Sequence, residues 1–138
     1  MEKIYTAKAT ATGGRNGHVK SENGALDADV RVPKEMGGLS GAHLNPEILF
    51  AAGYAACFDS ALSLVIRNEK VQTGTTVVTA DVSIGKTDNG GFGLAVTLAV
   101  EVPGVEKSKA EELVNKAHQA CPYSNATRGN VEVQLIVK

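Results

Sequence analysis

The sequence has no tryptophan, and aromatic residues make up only 4% of its 138 residues. Its core must therefore consist mainly of Ala, Val, Leu and Ile, a composition that favours extensive packing of helices on a sheet. A hydrophobic share of 43% with 21% charged residues is typical of a chain that buries a sizeable core. These proportions exclude disorder as the main state of the chain.

The sequence also lacks an excess of charge of either sign. A net charge of -1 and a pI of about 6.3 leave no basic surplus for a phosphate backbone or an anionic membrane surface. We therefore expect neither nucleic acid nor membrane as a partner. The N-terminus shows no charged segment followed by an apolar one, so no secretory signal is predicted and we expect a cytoplasmic protein.

Cysteine is scarce as well, with only Cys57 and Cys121 present. Two cysteines are too few for a disulfide scaffold, and their spacing excludes a CxxC redox or zinc-ribbon motif. No pair among the three histidines has metal-ligand spacing, so no metal site is predicted. Spacing alone does not decide whether the two sulfurs touch, and a disulfide between them stays open.

What the sequence does contain predicts an α+β fold in a single domain over residues 1–138. Alternating apolar and polar residues, bounded by turn residues, predict six strands over 4–12, 18–22, 25–32, 76–84, 93–102 and 130–136. Turns at Asn23-Gly24 and at residues 88–91 make antiparallel hairpins of their neighbours. The predicted order is βββ-α-ββ-α-β, with antiparallel hairpin sheets packed around a long central apolar helix.

The long helix is predicted from Asn45 to Asn68, with Asn45 as its N-cap and Pro46 at its first position. Its interior is apolar nearly all round and is long enough to span a membrane, but Asp59 and many small residues favour a buried core helix. Because a chain this small offers limited cover for such a helix, a dimer is favoured.

Four residues carry candidate chemistry, and each also has an ordinary structural interpretation. Cys57 lies midway in the apolar helix, where cysteine commonly serves as a small buried hydrophobe. Cys121 ends a second helix, opened by a capping box at 108–111, and we expect its sulfur to be reachable beside the proline that follows. Arg15 would ordinarily be a solvated charge in a glycine-rich turn, and Glu47 a charge at a helix N-terminus.

Three segments closely resemble the organic hydroperoxide resistance proteins, the thiol peroxidase branch of the osmotically induced protein family. They are Asn45-Pro46-Glu47, the apolar segment 50–58 around Cys57, and the segment 118–130 around Cys121. The turn Gly14-Arg15-Asn16-Gly17, followed by Asn23-Gly24, is similar to the N-terminal hairpin of that family. The resemblance therefore spans nearly the whole chain.

The resemblance implies a peroxidatic cysteine at Cys57, a resolving cysteine at Cys121, and Arg15 and Glu47 as polar partners of the reactive sulfur. It also implies an intertwined homodimer with active sites at the subunit interface. The expected substrate is an organic hydroperoxide. No cofactor is expected to be bound, and the expected reductant is a dithiol of the lipoyl type, either dihydrolipoamide or a lipoylated protein.

A guanidinium beside Cys57 would fit this chemistry. A free cysteine is only about 3% thiolate at pH 7, and a nearby cation lowers the pKa of a thiol.

Two other functions stay open at this point. The cysteine pair could act as a redox sensor or small-molecule-binding module without multiple turnover, or it could be purely structural. Multiple turnover of hydroperoxide separates the enzyme from both.

Overall fold

The computed structural model describes all residues, 1–138, and the chain forms two compact units, Met1–Leu49 and Phe50–Lys138. Six strands and three helices occur in the order βββ-α-ββ-αα-β, which confirms the predicted α+β class and adds one short helix. The organisation of the whole chain as one domain stays a prediction.

The first unit contains an antiparallel meander of strands β1 (Ala9–Thr12), β2 (His18–Ser21) and β3 (Asp27–Asp29). As predicted, the connection from β2 to β3 turns at Asn23-Gly24. Gly24 has φ of 75°, in the left-handed region that favours glycine. The predicted hairpin is therefore confirmed, although β3 is shorter than the predicted strand over 25–32.

The first strand is also shorter than predicted, because residues 1–8 form no regular element. Within this segment Ile4 is 97% exposed and Tyr5 is 79% exposed. The alternation that predicted a strand from residue 4 is present in the sequence, but this stretch belongs to neither sheet of the chain. A strand forms only where a neighbour supplies the backbone hydrogen bonds, so the regular part starts at Ala9.

The second unit contains a sheet of strands β4 (Val77–Lys86), β5 (Phe92–Glu101) and β6 (Glu132–Val137), with β5 in the middle. Strands β4 and β5 form the predicted antiparallel hairpin. Strand β6 pairs with β5 in parallel, which the expectation of antiparallel hairpin sheets did not include. The cause is the connection, since helices between β5 and β6 return the chain to the end of the sheet where β5 began.

Three helices complete the fold: α1 (Pro46–Asn68), α2 (Lys107–Ala120) and α3 (Pro122–Thr127). The N-cap of α1 is confirmed, because the backbone N–H of Ile48 donates to Asn45 Oδ1 at 2.8 Å. The predicted capping box of α2 is wrong. Its N-cap is Glu106, which makes no side-chain capping bond, and Ser108 lies inside the first turn.

One face of α1 builds the core of the second unit. Tyr54, Phe58 and Leu62 are fully buried against apolar residues of β5 and α2. Other positions of α1 are exposed in the single chain: Ile48, Ala52, Ala56, Ser60 and Leu64. The predicted burial on several sides is therefore wrong for the chain alone. By length and composition α1 could also cross a membrane, a test that core helices of soluble proteins pass as well.

Candidate active site

The two cysteines, 64 residues apart in sequence, lie side by side in the second unit. Cys57 projects from the middle of α1, and Cys121 sits at the corner between α2 and α3. Their Sγ atoms are 3.7 Å apart, and both are free thiols. Because an S–S bond is about 2.05 Å long, a small movement of one side chain would bring the two sulfurs to bonding distance once either is oxidised.

The solvent exposure of the two thiols is the reverse of what the sequence suggested. Cys121, expected to be reachable beside its proline, is fully buried at 0% exposure, whereas Cys57 is half-buried. The reason is that the Cys121 side chain packs into the core cluster with Tyr54 and Phe58, while the helical corner fixes its backbone. Its N–H donates to the Ala117 carbonyl at 2.8 Å, and its own carbonyl accepts from the N–H of Asn125 at 3.0 Å.

The surroundings of Cys57 in the second unit disfavour its thiolate. Burial raises the pKa of the Cys57 thiol, and the neighbouring Cys121 thiol raises it further, while the backbone N–H of Tyr123 acts in the opposite direction. The pKa lies above its ordinary value as a result. The lowered pKa expected at this position is therefore not produced by its neighbours in this unit.

Aromatic rings cover the helix face one turn before Cys57. The ring of Tyr123 lies on Gly53 so closely that a Cβ there would be 3.2 Å from Tyr123 Oη. Phe50 and Tyr54 complete a cluster with Tyr123, with ring centroids 5.8 to 6.4 Å apart. Tyr54 is fully buried, so a molecule that approaches Cys57 along this face of α1 meets the rings of Phe50 and Tyr123, which suit an apolar molecule.

The charged pair lies in the first unit and has a fixed geometry. Arg15 donates from Nη1 to Glu47 Oε2 at 2.9 Å and from Nη2 to Oε1 at 2.6 Å, a bidentate arrangement. The Arg15 guanidinium holds the pKa of the Glu47 carboxyl below its ordinary value, and Glu47 in turn raises the pKa of Arg15. Arg15 is therefore not the freely solvated turn charge that its setting would ordinarily suggest.

Glycine makes the Arg15 turn possible. A Cβ at Gly17 would lie 1.7 Å from the Thr12 carbonyl oxygen, so no other residue fits where the turn closes on itself. The Gly17 carbonyl accepts from the Val30 N–H at 2.9 Å and from Arg31 Nη1 at 3.0 Å. These bonds fix the turn that carries Arg15.

The four predicted residues thus form two pairs, one in each unit. A polar cluster beside Cys121 was not predicted, and it links Tyr54 to Ser124, Thr127 and His118 through hydrogen bonds. Its only signal in the sequence is a histidine and a serine, each three residues from Cys121. No group of three or more His, Cys, Asp or Glu side chains in the structure could hold a metal ion.

Comparison with known proteins links this geometry to one family. Residues 38–136 match the family described as OsmC-like protein. The chain is 52% identical over 133 residues to an organic hydroperoxide resistance protein of Xanthomonas axonopodis pv. citri, covering 96% of this chain and 93% of that protein.

Solved structures give the same result. An organic hydroperoxide resistance protein from Elizabethkingia anophelis is 62% identical with a TM-score of 0.95, covering 100% of this chain and 99% of that one. Its counterpart from Bacillus subtilis is 46% identical with a TM-score of 0.90, covering 99% of this chain and 100% of that one.

Proposed function

Because the chain belongs to the OsmC-like family and, within it, to the organic hydroperoxide resistance proteins, we propose that it is a cysteine-based peroxidase that reduces organic hydroperoxides to alcohols. The observation that carries this proposal is the pair of free thiols with sulfurs 3.7 Å apart, one half-buried and one fully buried. A half-buried thiol is open to a small substrate, and the buried thiol is close enough to trap its oxidised form.

The proposed cycle begins with the Cys57 thiolate, which attacks the distal oxygen of the hydroperoxide. A sulfur–oxygen bond forms, the oxygen–oxygen bond breaks, and the alkoxide takes up a proton to leave as the alcohol. Cys57 is then a sulfenic acid. The Cys121 sulfur attacks it, a disulfide forms, and the hydroxide that leaves combines with the Cys121 proton as water.

The cycle requires a group that opposes the raised pKa of Cys57, and we assign this role to Arg15. A cation close to a sulfur favours its anion, and the planar guanidinium can bind a carboxylate while it presents another N–H to sulfur or to a peroxide oxygen. Glu47 would hold Arg15 in that orientation through the bidentate pair. The role of both residues rests on the resemblance of their motifs to the family.

The disulfide would be returned to two thiols by a dithiol of the lipoyl type, either free dihydrolipoamide or a lipoylated protein, with no cofactor bound to the chain. A dithiol reduces a disulfide by thiolate attack through a mixed disulfide. The half-buried Cys57 sulfur, and not the buried Cys121 sulfur, is the one that such a reductant can reach first.

We also propose a cytoplasmic, intertwined homodimer with active sites at the subunit interface. Two features support a second subunit: the segment 1–8, which forms no regular element and exposes Ile4 and Tyr5, and the exposed apolar positions along α1. Apolar surface of this kind on a soluble chain commonly marks an interaction site. Sedimentation of the full chain tests the dimer, and a monomer at micromolar concentration would contradict it.

Replacement of each cysteine in turn tests the assigned roles. Cys57→Ser should abolish reduction of an organic hydroperoxide, whereas Cys121→Ser should complete one turnover and stop as a sulfenic acid or mixed disulfide. Mass spectrometry after one equivalent of peroxide reads both results. Oxidised Cys121 beside an untouched Cys57 would overturn the assignment.

Steady-state consumption of hydroperoxide tests the reductant and separates an enzyme from a sensor. We expect many turnovers with dihydrolipoamide and few with a thioredoxin system at the same thiol concentration. Oxidation that stops after a single equivalent with either reductant would leave the chain as a redox sensor. A disulfide that neither reductant opens would make the pair structural.

A further inference from the structure

A polar chain, defined here as His118, Ser124, Tyr54 and Thr127, lies beside the two cysteines. Ser124 Oγ is 2.8 Å from His118 Nδ1 and 2.9 Å from Tyr54 Oη, and Tyr54 Oη is 3.1 Å from Thr127 Oγ1. The three hydroxyl-bearing residues are buried. The polar chain therefore joins α1, α2 and α3, with its hydroxyl groups buried and the His118 ring half-buried at its end.

The number of protons on each group links the directions of the hydrogen bonds in this polar chain. With the Thr127 proton on the carbonyl of Tyr123 at 3.0 Å or on that of Ser124 at 3.1 Å, Thr127 accepts from Tyr54. Tyr54 has then used its single proton and must accept from Ser124. Ser124 has likewise used its proton, so it accepts from His118.

This direction fixes the tautomer of neutral His118 as the one that carries its proton on Nδ1. The pKa of His118 is lowered by burial and by the charge of Arg128, so the imidazole is neutral near neutral pH. Phe58 packs near the same ring, with centroids 6.4 Å apart, and offers no hydrogen bond that would favour the other tautomer.

The polar chain lies close in sequence to both cysteines. His118 and Ser124 stand three residues before and three residues after Cys121, and Tyr54 stands three residues before Cys57 on α1. The bonds from Ser124 to His118 and to Tyr54 therefore brace the corner that carries Cys121 and tie it to the helix that carries Cys57. A largely buried hydrogen-bond network of this kind favours one arrangement over its alternatives.

On the basis of the function proposed above, we propose that His118, Ser124 and Tyr54 are positioning residues. They hold Cys121 at attacking distance from Cys57 and act in the step that forms the disulfide, not in the step that consumes peroxide. In that step the bond between the two sulfurs forms as the bond between Cys57 sulfur and its oxygen breaks, and the oxygen leaves as water. The sulfurs must close from 3.7 Å, so small displacements of the corner matter.

The test separates the two steps in Tyr54→Phe and Ser124→Ala, which remove a hydroxyl and leave most of the packing. Because the chain has no tryptophan, acid-quenched samples are read by mass spectrometry after one equivalent of cumene hydroperoxide. A sulfenic acid adds one oxygen, and a disulfide removes two hydrogens. We expect unchanged oxidation of Cys57 and disulfide formation slowed by about tenfold, with the sulfenic acid accumulating.

The matched control is Ser83→Ala, which removes an exposed hydroxyl on β4 and should change neither rate. His118→Asn and His118→Gln test the direction of the hydrogen bonds in the polar chain. The asparagine amide lies near the position of Nδ1 and the glutamine amide near that of Nε2. His118→Asn should therefore keep most of the wild-type rate of disulfide formation, and His118→Gln should not. Nitrogen NMR of wild type should show the Nδ1–H tautomer of His118.

Several outcomes would overturn the proposal. Disulfide formation at the wild-type rate in both hydroxyl variants would do so, and so would equal slowing of both steps, which indicates a general loss of structure. An Nε2–H tautomer would refute the direction of the chain. If cumene hydroperoxide leaves Cys57 of wild type unoxidised, the proposed function itself fails, a result distinct from a wild type that cycles normally beside unaffected variants.

Discussion

Replacement of Arg15 by lysine tests whether geometry or charge matters at this position. Arg15 contacts Glu47 through two N–H donors at 2.9 and 2.6 Å, whereas an ammonium is a single point of charge and cannot reproduce the planar fork. Arg15→Lys therefore keeps the charge and loses one charge-assisted hydrogen bond, or the donor proposed for the sulfur or peroxide.

The expected magnitude follows from the exposure of the pair. A hydrogen bond to a charged group contributes about 1.5 to 3 kcal/mol when well shielded. Arg15 is 32% exposed and Glu47 is 13% exposed, so water weakens the bond and the lower end applies. A loss of about 1.5 kcal/mol from the transition state slows oxidation of Cys57 by roughly tenfold.

The assay is the rate of Cys57 oxidation by an organic hydroperoxide in a single turnover, measured across pH. In Arg15→Lys we expect the slower rate together with a shift of the pH profile towards alkaline values, because the thiolate loses its best partner. Arg67→Lys, which alters an exposed arginine in the last turn of α1, is the matched control and should behave as wild type.

If Arg15→Lys matches wild type in both rate and pH profile, the reasoning fails. Arg15 would then serve only to bind Glu47, and the thiolate of Cys57 would need another source of stabilisation. A slower rate without any shift of the profile would point to binding of the peroxide oxygen and not to the sulfur.

Two further predictions concern the Arg15–Glu47 pair and the aromatic cluster. Because Arg15 lowers the pKa of Glu47 below its ordinary value of 4.5, the stability that the pair contributes should be complete above about pH 4.5 and should be lost as pH falls through the lowered pKa. Urea unfolding of wild type and Glu47→Gln should therefore converge in acid, and a difference independent of pH would contradict this. The aromatic cluster beside Cys57 should make kcat/KM for a bulky organic hydroperoxide more than about tenfold higher than for hydrogen peroxide, and equal values would argue against an apolar approach.

Local patterns predicted the elements of the fold well, since their causes are local. The Asn45 cap and the Asn23-Gly24 turn each depend on a few neighbouring residues, and both are present in the structure. The parallel pairing of β6 was missed because a strand's alternation shows which face is buried but not which neighbour it joins or in which direction.

The candidate site was less accessible to sequence reasoning, because its contacts join distant positions. Arg15 and Glu47 are 32 residues apart, and Tyr54 and Ser124 are 70 apart, so no spacing rule brings either pair together. The resemblance to a family supplied the four predicted residues. The exposure of the cysteines was inverted because the proline after Cys121 indicates a turn but not what packs over it.

The parallel placement of β6 has a consequence for how the chain folds. β5 meets β4 through a short turn, but it meets β6 only after a long connection that contains α2, Cys121 and α3. Closing a longer loop loses more chain entropy, so we expect the hairpin to form first and the connection to dock late. Cys57 therefore has no neighbouring sulfur until folding is nearly complete, and a nascent or partly unfolded chain that meets peroxide would pair with foreign thiols instead of its own.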